Sequence, residues 1–327
     1  MRVARAFGVL AVLVAAAVGS FTLTSDPVSG GPTRSRSRTS LSRRRTTTRK
    51  PAATVKPVPS TKAVPSTKPV PSTFTVATGA LTEASGCALS RADPNTVWLH
   101  NDSGNAPQLF ALDLTTKALR VVDVVDAKLV DWEDIAALPG GGLLVGDIGD
   151  NDMKRASVQF YRIANLAGST FSAQVQTLTY EDGPHNAEAL VVDPTTSASA
   201  TGPAVYVITK DETGHSGVYR ADGNVLRKVA PLTIADEAPI FGNLITAADS
   251  LPDGSGVVLR TYQYAYMLKR PAGKPFEAAF SATPVRINVP FLAQAEAICV
   301  LQDGKTALST TESRGATELP FVYVALP

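Results

Sequence analysis

Only two cysteines, Cys87 and Cys299, occur in 327 residues. That scarcity excludes a disulfide-dense scaffold and a cysteine-rich zinc site, since each needs more thiols. Acidic side chains are nearly missing from the first 73 positions, where Asp26 stands alone against 13 Lys and Arg. Of the 31 basic and 29 acidic residues in the chain, 18 and 28 therefore remain for the rest, so a +12 arm precedes a −10 body. An acidic body disfavours a nucleic-acid-binding core, and the asymmetry points to a tail attached to a separate globular unit. Large apolar side chains are scarce over residues 26–73, which cannot offset their ordering entropy by burial. Sustained helical periodicity is lacking from Phe74 onward, which excludes a helical bundle.

The leader shows what the arm is for. Arg2 and Arg5 precede an apolar run, Gly8–Gly19, that ends in small residues, the order of a secretory signal peptide. The uncharged stretch Phe7–Leu23 is near the shortest length that spans a bilayer, so an uncleaved anchor is the alternative. Eight basic residues between Arg34 and Lys50 would then lie on the wrong side of the membrane, which favours cleavage. No cysteine follows the run, so a lipoprotein anchor is excluded. The resulting division is a leader over 1–25, a linker over 26–73 and a body over 74–327. Three hexamers in the linker, Lys56–Thr61, Lys62–Thr67 and Lys68–Thr73, carry the pattern Lys-x-Val-Pro-Ser-Thr. Their prolines favour an extended spacer of roughly 55 Å. The body is expected outside the cytoplasm, secreted or held at the cell wall or membrane. It touches membrane only through residues 7–23 if these are retained.

Within the body, short runs rich in Val, Ile, Leu, Thr and Tyr alternate with turns such as Pro139-Gly140-Gly141-Gly142, the signature of strands. Three of them place a Glu before an apolar strand: Trp132–Ala136, Ala187–Val191 and Ala295–Cys299. Ile245–Asp249 and Ser85–Leu89 are weaker copies. The spacing from Glu133 to Asp147, from Thr246 to Arg260 and from Glu296 to Thr310 is constant and fixes the alignment. Four-stranded repeats of about fifty residues predict an all-β fold, a β-propeller of five blades. Phe74–Thr78 is expected to supply the outer strand of the last blade and close the ring. Six blades, with an irregular sheet over Ile234–Asn243, and a two-sheet sandwich are the alternatives.

In such a ring the polar positions gather at one channel mouth. Glu133, Asp147, Glu188 and Glu296 are the candidate metal ligands, and an oxygen set suits Ca²⁺ better than zinc. Asn101, Asp102, Lys210, Arg260 and Glu312 are the candidate ligand-binding residues, and His185 with Glu188 the candidate proton-transfer pair. The alternative for each Glu is a bond to backbone amides or to a neighbouring Lys or Arg that keeps the blades in register. Cys87 and Cys299 fall on the innermost strands of adjacent blades, either as a disulfide or as two buried thiols.

Trp132–Ala136, Gly146–Asn151, Tyr180–Leu190 and Arg260–Tyr262 together resemble a family of exported bacterial β-propeller proteins to which no reaction is assigned. The likeness covers most of residues 83–315 and implies the fold and export, but no catalytic residues. More remotely the chain is similar to calcium-dependent lactonase and esterase-like phytase propellers, whose ligand order does not map onto it. Two functions follow as expectations. One is a noncatalytic, monomeric module binding an envelope protein or anionic glycan through the acidic mouth. The other is a Ca²⁺-dependent hydrolase of lactones, esters or phosphoesters.

Overall fold

The computed structural model describes residues 73–196, 202–234, 240–312 and 315–327. The predicted leader and nearly all of the linker lie outside the described residues. Among the described residues no helix is long and apolar enough to cross a membrane.

Strand β1 (Thr73–Ala77) precedes the first blade, which comprises β2 (Ala84–Leu89), β3 (Thr96–Asn101), β4 (Gln108–Asp113) and β5 (Leu119–Val125). The second is built from β6 (Trp132–Ala137), β7 (Leu143–Asp147) and β8 (Val158–Ile163), then, past a short β9 (Thr170–Ser172), β10 (Gln174–Tyr180). The third contains β11 (Ala187–Val192), β12 (Val205–Thr209), β13 (His215–Asp222) and β14 (Val225–Thr233). The fourth has β15 (Ile245–Ser250), β16 (Gly256–Thr261), β17 (Ala265–Lys269) and β18 (Val285–Ile287). The fifth takes β19 (Ala295–Val300), β20 (Thr306–Thr311) and β21 (Glu318–Ala325) and is completed by β1.

The chain is thus a five-bladed β-propeller. Phe74 pairs with Phe321 across the β1–β21 ladder and their rings stack at 5.0 Å, so the body's first strand closes its last blade as the sequence predicts. Two parallel pairings also tie blades at their outer edges: β9 runs beside β5, and β10 beside β14. Residues 235–239 of the segment proposed for a sixth sheet lie outside the described residues, and Ile240–Gly242 forms a single 3₁₀ turn.

The innermost strands β2, β6, β11, β15 and β19 are neighbours in a closed ring. Their side chains are almost all buried, because one face packs on the preceding blade and the other on the next. An apolar cluster fills each interface, for example Trp98, Trp132 and Tyr161 between blades one and two.

Each inner strand breaks register once, at the same place: between Ala84 and Gly86, Trp132 and Asp134, Ala187 and Ala189, Ile245 and Ala247, and Ala295 and Ala297. The skipped residues are Ser85, Glu133, Glu188, Thr246 and Glu296. The repeated Glu of the sequence is therefore the extra residue of a β-bulge, a device that bends the strand and re-aims one side chain.

The position after the bulge lies against the channel axis. Four blades place Gly86, Ala189, Ala247 or Ala297 there, and one places Asp134. A Cβ on Gly86 would sit 2.8 Å from the Asp134 Cα, so that strand must carry glycine. The buried Asp134 carboxylate accepts N–H bonds from Ile135 (2.9 Å), Leu190 (2.9 Å) and Ala248 (3.1 Å), the equivalent residues of blades two, three and four. Burial pushes this carboxyl well above its usual range, opposed by the three N–H groups, and removing it leaves three interior donors unsatisfied at about 1–3 kcal/mol each. Asp134→Ala is expected to lower the unfolding free energy by about 4 kcal/mol or more in urea denaturation. A loss below about 1 kcal/mol would show that the axial carboxylate is not what joins these blades.

Candidate functional site

The bulges deliver Glu133, Glu188 and Glu296 to one end of the channel. There they meet the polar ends of the second strands and the loops that follow. Burial pushes all three carboxyls above their usual range and repulsion from neighbouring carboxylates adds to it, while at Glu188 Lys210 is the main opposing influence.

These acids divide into two groups. In the first, Asp102, Asp131 and Glu133 converge so that one oxygen from each lies within 4.8 Å of the others. Asp102 follows β3, while Asp131 stands just ahead of β6 and Glu133 is re-aimed toward it by the bulge. Burial lifts the Asp102 carboxyl to about 7, opposed by the N–H of Ser103 and helped by the charge of Asp131. Gly149 leans over this trio: a Cβ there would fall 2.1 Å from Glu133 Oε1 and 2.4 Å from Asp131 Oδ2. The glycine in the sequence Gly146-Asp147-Ile148-Gly149-Asp150-Asn151 thus leaves room for two carboxylates.

The second group is an ion-pair network. Lys210 Nζ lies 2.5 and 2.6 Å from the two Glu188 oxygens and donates to Tyr262 Oη at 2.8 Å, joining blades three and four. Burial works to lower the Lys210 ammonium, but Glu188 and then Glu296 hold it well above its ordinary value. Glu296 lies near Tyr262, which slightly opposes the rise of its carboxyl. Arg260 is wholly buried, and among the described residues none of its guanidinium nitrogens has a hydrogen-bond partner. Burial lowers it to about 10, opposed by the charge of Glu296.

The remaining predicted residues are placed as follows. Asp147 pairs with Arg155 at 2.7 Å and accepts the N–H groups of Val130 and Asp131, bracing the loop that leads into β6. Asn101 bonds Ala80 and Glu83 and braces the neighbouring loop. Glu312 is buried at the mouth and adds negative charge near Asp102, Glu188 and Glu296. His185 bonds Asp182 at 2.9 Å and Tyr219 at 2.8 Å against the ring of Tyr180, and no hydrogen bond joins it to Glu188. Cys87 and Cys299 are both buried free thiols. Of the four candidate metal ligands, Glu133 alone belongs to the converging trio. Asp131 was missed, although its spacing from Glu133 was a readable signal. His100, with its ring edge-on to Trp132, is a core residue that burial holds neutral down to about pH 4. A cavity of about 440 Å³ opens at the opposite end, between Trp98, Leu119 and Leu166, away from all these acids.

No protein-family model matches the chain, and no curated protein matches it in sequence. Among solved structures it is similar to a gluconolactonase from Xanthomonas campestris, at 11% identity and a TM-score of 0.44 over 75% of this chain and 86% of that one. It is also similar to an auxiliary nutrient binding protein from Bacteroides thetaiotaomicron, at 11% identity and 0.42 over 74% and 69%. The nidogen/laminin complex gives 14% identity and 0.41 over 70% and 72%.

Below the mouth, Asp249 repeats the role of Asp134 by accepting the N–H groups of Ser250 (2.7 Å) and Val300 (2.8 Å), and burial raises its carboxyl to about 6. A raised folded value means that the native state holds a proton the unfolded chain has released between pH 4 and 6. This group's contribution to stability is therefore full below that window and is lost as pH rises through it. His100 acts in the opposite sense below about pH 6.5, so the informative quantity is a difference between proteins. Asp249→Asn is expected to gain stability relative to wild type as pH rises from 4 to 7, read as the difference between their melting temperatures. A pH-independent difference would count against the raised carboxyl.

Proposed function

We propose that the chain is an exported β-propeller whose channel mouth binds a divalent cation, Ca²⁺ by its donor set, and through it an envelope protein or anionic glycan without chemical turnover. The observation that carries this reading is the convergence of Asp102, Asp131 and Glu133 under Gly149. Three carboxylates this close repel one another, and a hard cation with oxygen ligands relieves the repulsion. A noncatalytic role fits the fate of the proton carriers. Glu188 is held by Lys210, and His185 by Asp182 and Tyr219. Export rests on the leader sequence and on the resemblance to exported propellers, and the proline-rich linker would then space the body from the envelope.

A Ca²⁺-dependent hydrolase of lactones, esters or phosphoesters is the second reading. It is favoured by the chain of groups Glu188, Lys210, Tyr262 and Glu296, which offers a proton route beside the cation site. A bound cation would supply polarisation of a substrate oxygen there.

Millimolar CaCl₂ is expected to raise the melting temperature of the full chain by about 5–10 °C, the shift for a ligand near a hundredfold its Kd, and EDTA to reverse it. Asp131→Asn, Glu133→Gln and Gly149→Ala should abolish the shift, whereas Glu188→Gln should keep it. An unmoved melting curve in wild type would remove both readings. Calcium-dependent cleavage of a lactone or aryl ester that Glu188→Gln loses while retaining the shift would replace the binding module by the hydrolase.

A further inference from the structure

The seam between the fifth blade and the first differs chemically from the rest of the ring. Elsewhere on the inner strands, carboxylates and hydroxyls reach across: Ser85 to the Glu133 carbonyl, Asp134 to Leu190 and Ala248, Thr246 to the Ala295 carbonyl, and Asp249 to Val300. Between β19 and β2 the corresponding place is held by the chain's two cysteines. Aligned by their bulges, Cys87 lies two residues after the bulge and Cys299 three. That offset turns the two side chains toward the same interface from opposite sides. They belong to one apolar cluster with Leu99, Leu308 and Phe321, at 1% and 0% exposure. The Cys87 sulfur is 3.9 Å from the carbonyl oxygen of Leu308, the residue opposite Cys299 in the β19–β20 ladder.

We propose that Cys87 and Cys299 are a modification site, joined in the exported protein by a disulfide that locks the first blade to the last. The inference rests on the export reading, because such bonds persist in oxidising compartments. Each thiol gives up its hydrogen, one S–S bond forms, and two protons and two electrons leave. The acceptor is a disulfide-type oxidant, whose own S–S bond breaks to give two thiols. Exchange requires a thiolate at the surface. In the closed ring burial pushes the Cys87 thiol up, as do the neighbouring Cys299 and the charges of Asp134 and Asp249. The bond therefore forms as the last blade docks during folding, not by attack on the finished propeller. It closes a loop of about 210 residues, the regime in which a cross-link restricts the unfolded chain most.

Two preparations of the full chain test this. One is secreted by a bacterial host. The other is produced reduced, denatured and refolded with oxidised and reduced glutathione, which makes it independent of the leader. In both, alkylation under denaturing conditions should leave the cysteines unlabelled until reductant is added. The intact mass should lie about 2 Da below the reduced form, and a linked Cys87–Cys299 peptide should appear after digestion. Reduction should lower the melting temperature by roughly 10 °C, and Cys87→Ser or Cys299→Ser should melt with the reduced protein. Two freely alkylated thiols after refolding with oxidised glutathione would overturn the disulfide and leave export untouched. A refolded chain that is bridged beside a secreted chain that is not would overturn the proposal for the exported protein.

Discussion

One buried carboxylate at the channel axis constrains everything above it. An inner strand has one edge paired within its blade and the other facing the axis, where backbone N–H groups have neither water nor a partner strand. Asp134 resolves this for three blades at once, by accepting from Ile135, Leu190 and Ala248. Only one such side chain fits in the cross-section, and the small residues Gly86, Ala189, Ala247 and Ala297 at the equivalent positions are the counterpart of that limit. Asp249 repeats the device toward the fifth blade through Val300. The axis is filled at this level, so the mouth is a recess with a floor.

That floor sets the electrostatics of the recess. The bulge residues sit directly above Asp134, with side chains turned to the mouth. Three of them are Glu, and Asp102, Asp131 and Glu312 stand around them. Against these the network offers Lys210 and Arg260, with Arg155 committed to Asp147. Carboxyls outnumber cations, and burial leaves little water to compensate. The ring answers by raising carboxyl affinities for protons, at Asp102, Glu133 and Glu296 alike, and a divalent cation would satisfy the same deficit. The two conditions exclude each other at one carboxylate, so a cation bound at the trio would displace a proton.

The fold was legible because propeller repeats are one-dimensional in sequence: the fixed distance from Glu133 to Asp147 and from Glu296 to Thr310 reports strand length plus turn, whatever fills the rest. The closing strand was legible for a related reason, since the last repeat stops after its third strand and Phe74–Thr78 is a strand without a repeat. The site was legible only in part. Glu133, Glu188 and Glu296 are equivalent in sequence, yet the structure gives them different partners, because what decides a carboxylate's fate is the residue opposite it. Lys210 faces Glu188, Tyr262 reaches Glu296, and Asp131 with Asp102 closes on Glu133. Two of these juxtapositions, Tyr262 with Glu296 and Asp102 with Glu133, are made between blades, at separations no repeat period encodes, while Lys210 meets Glu188 at the end of the paired strands β11 and β12. His185 shows the same limit: three residues from Glu188 along the chain, it is bonded to Asp182 and Tyr219.

The bulge explains why such different side chains occupy one position in five blades. A bulge residue leaves the ladder, so its side chain is free of the alternation that commits its neighbours to one interface or the other. Ser85 and Thr246 use that freedom for backbone carbonyls of the next blade, at Glu133 and Ala295, and so serve the ring. The three Glu side chains are too long for that contact and extend into the mouth. Side-chain length at a single repeated position thus divides the blades into two that are stitched there and three that present acid. Only in the second blade, where Asp131 stands two residues before the bulge, does that acid acquire a second carboxylate from the residue leading into its own strand. The first blade also has an acid two residues ahead of its bulge, Glu83, but Ser85 at the bulge, so the asymmetric site arises where an acid ahead of the bulge coincides with a Glu in it and Asp102 of the first blade closes on both.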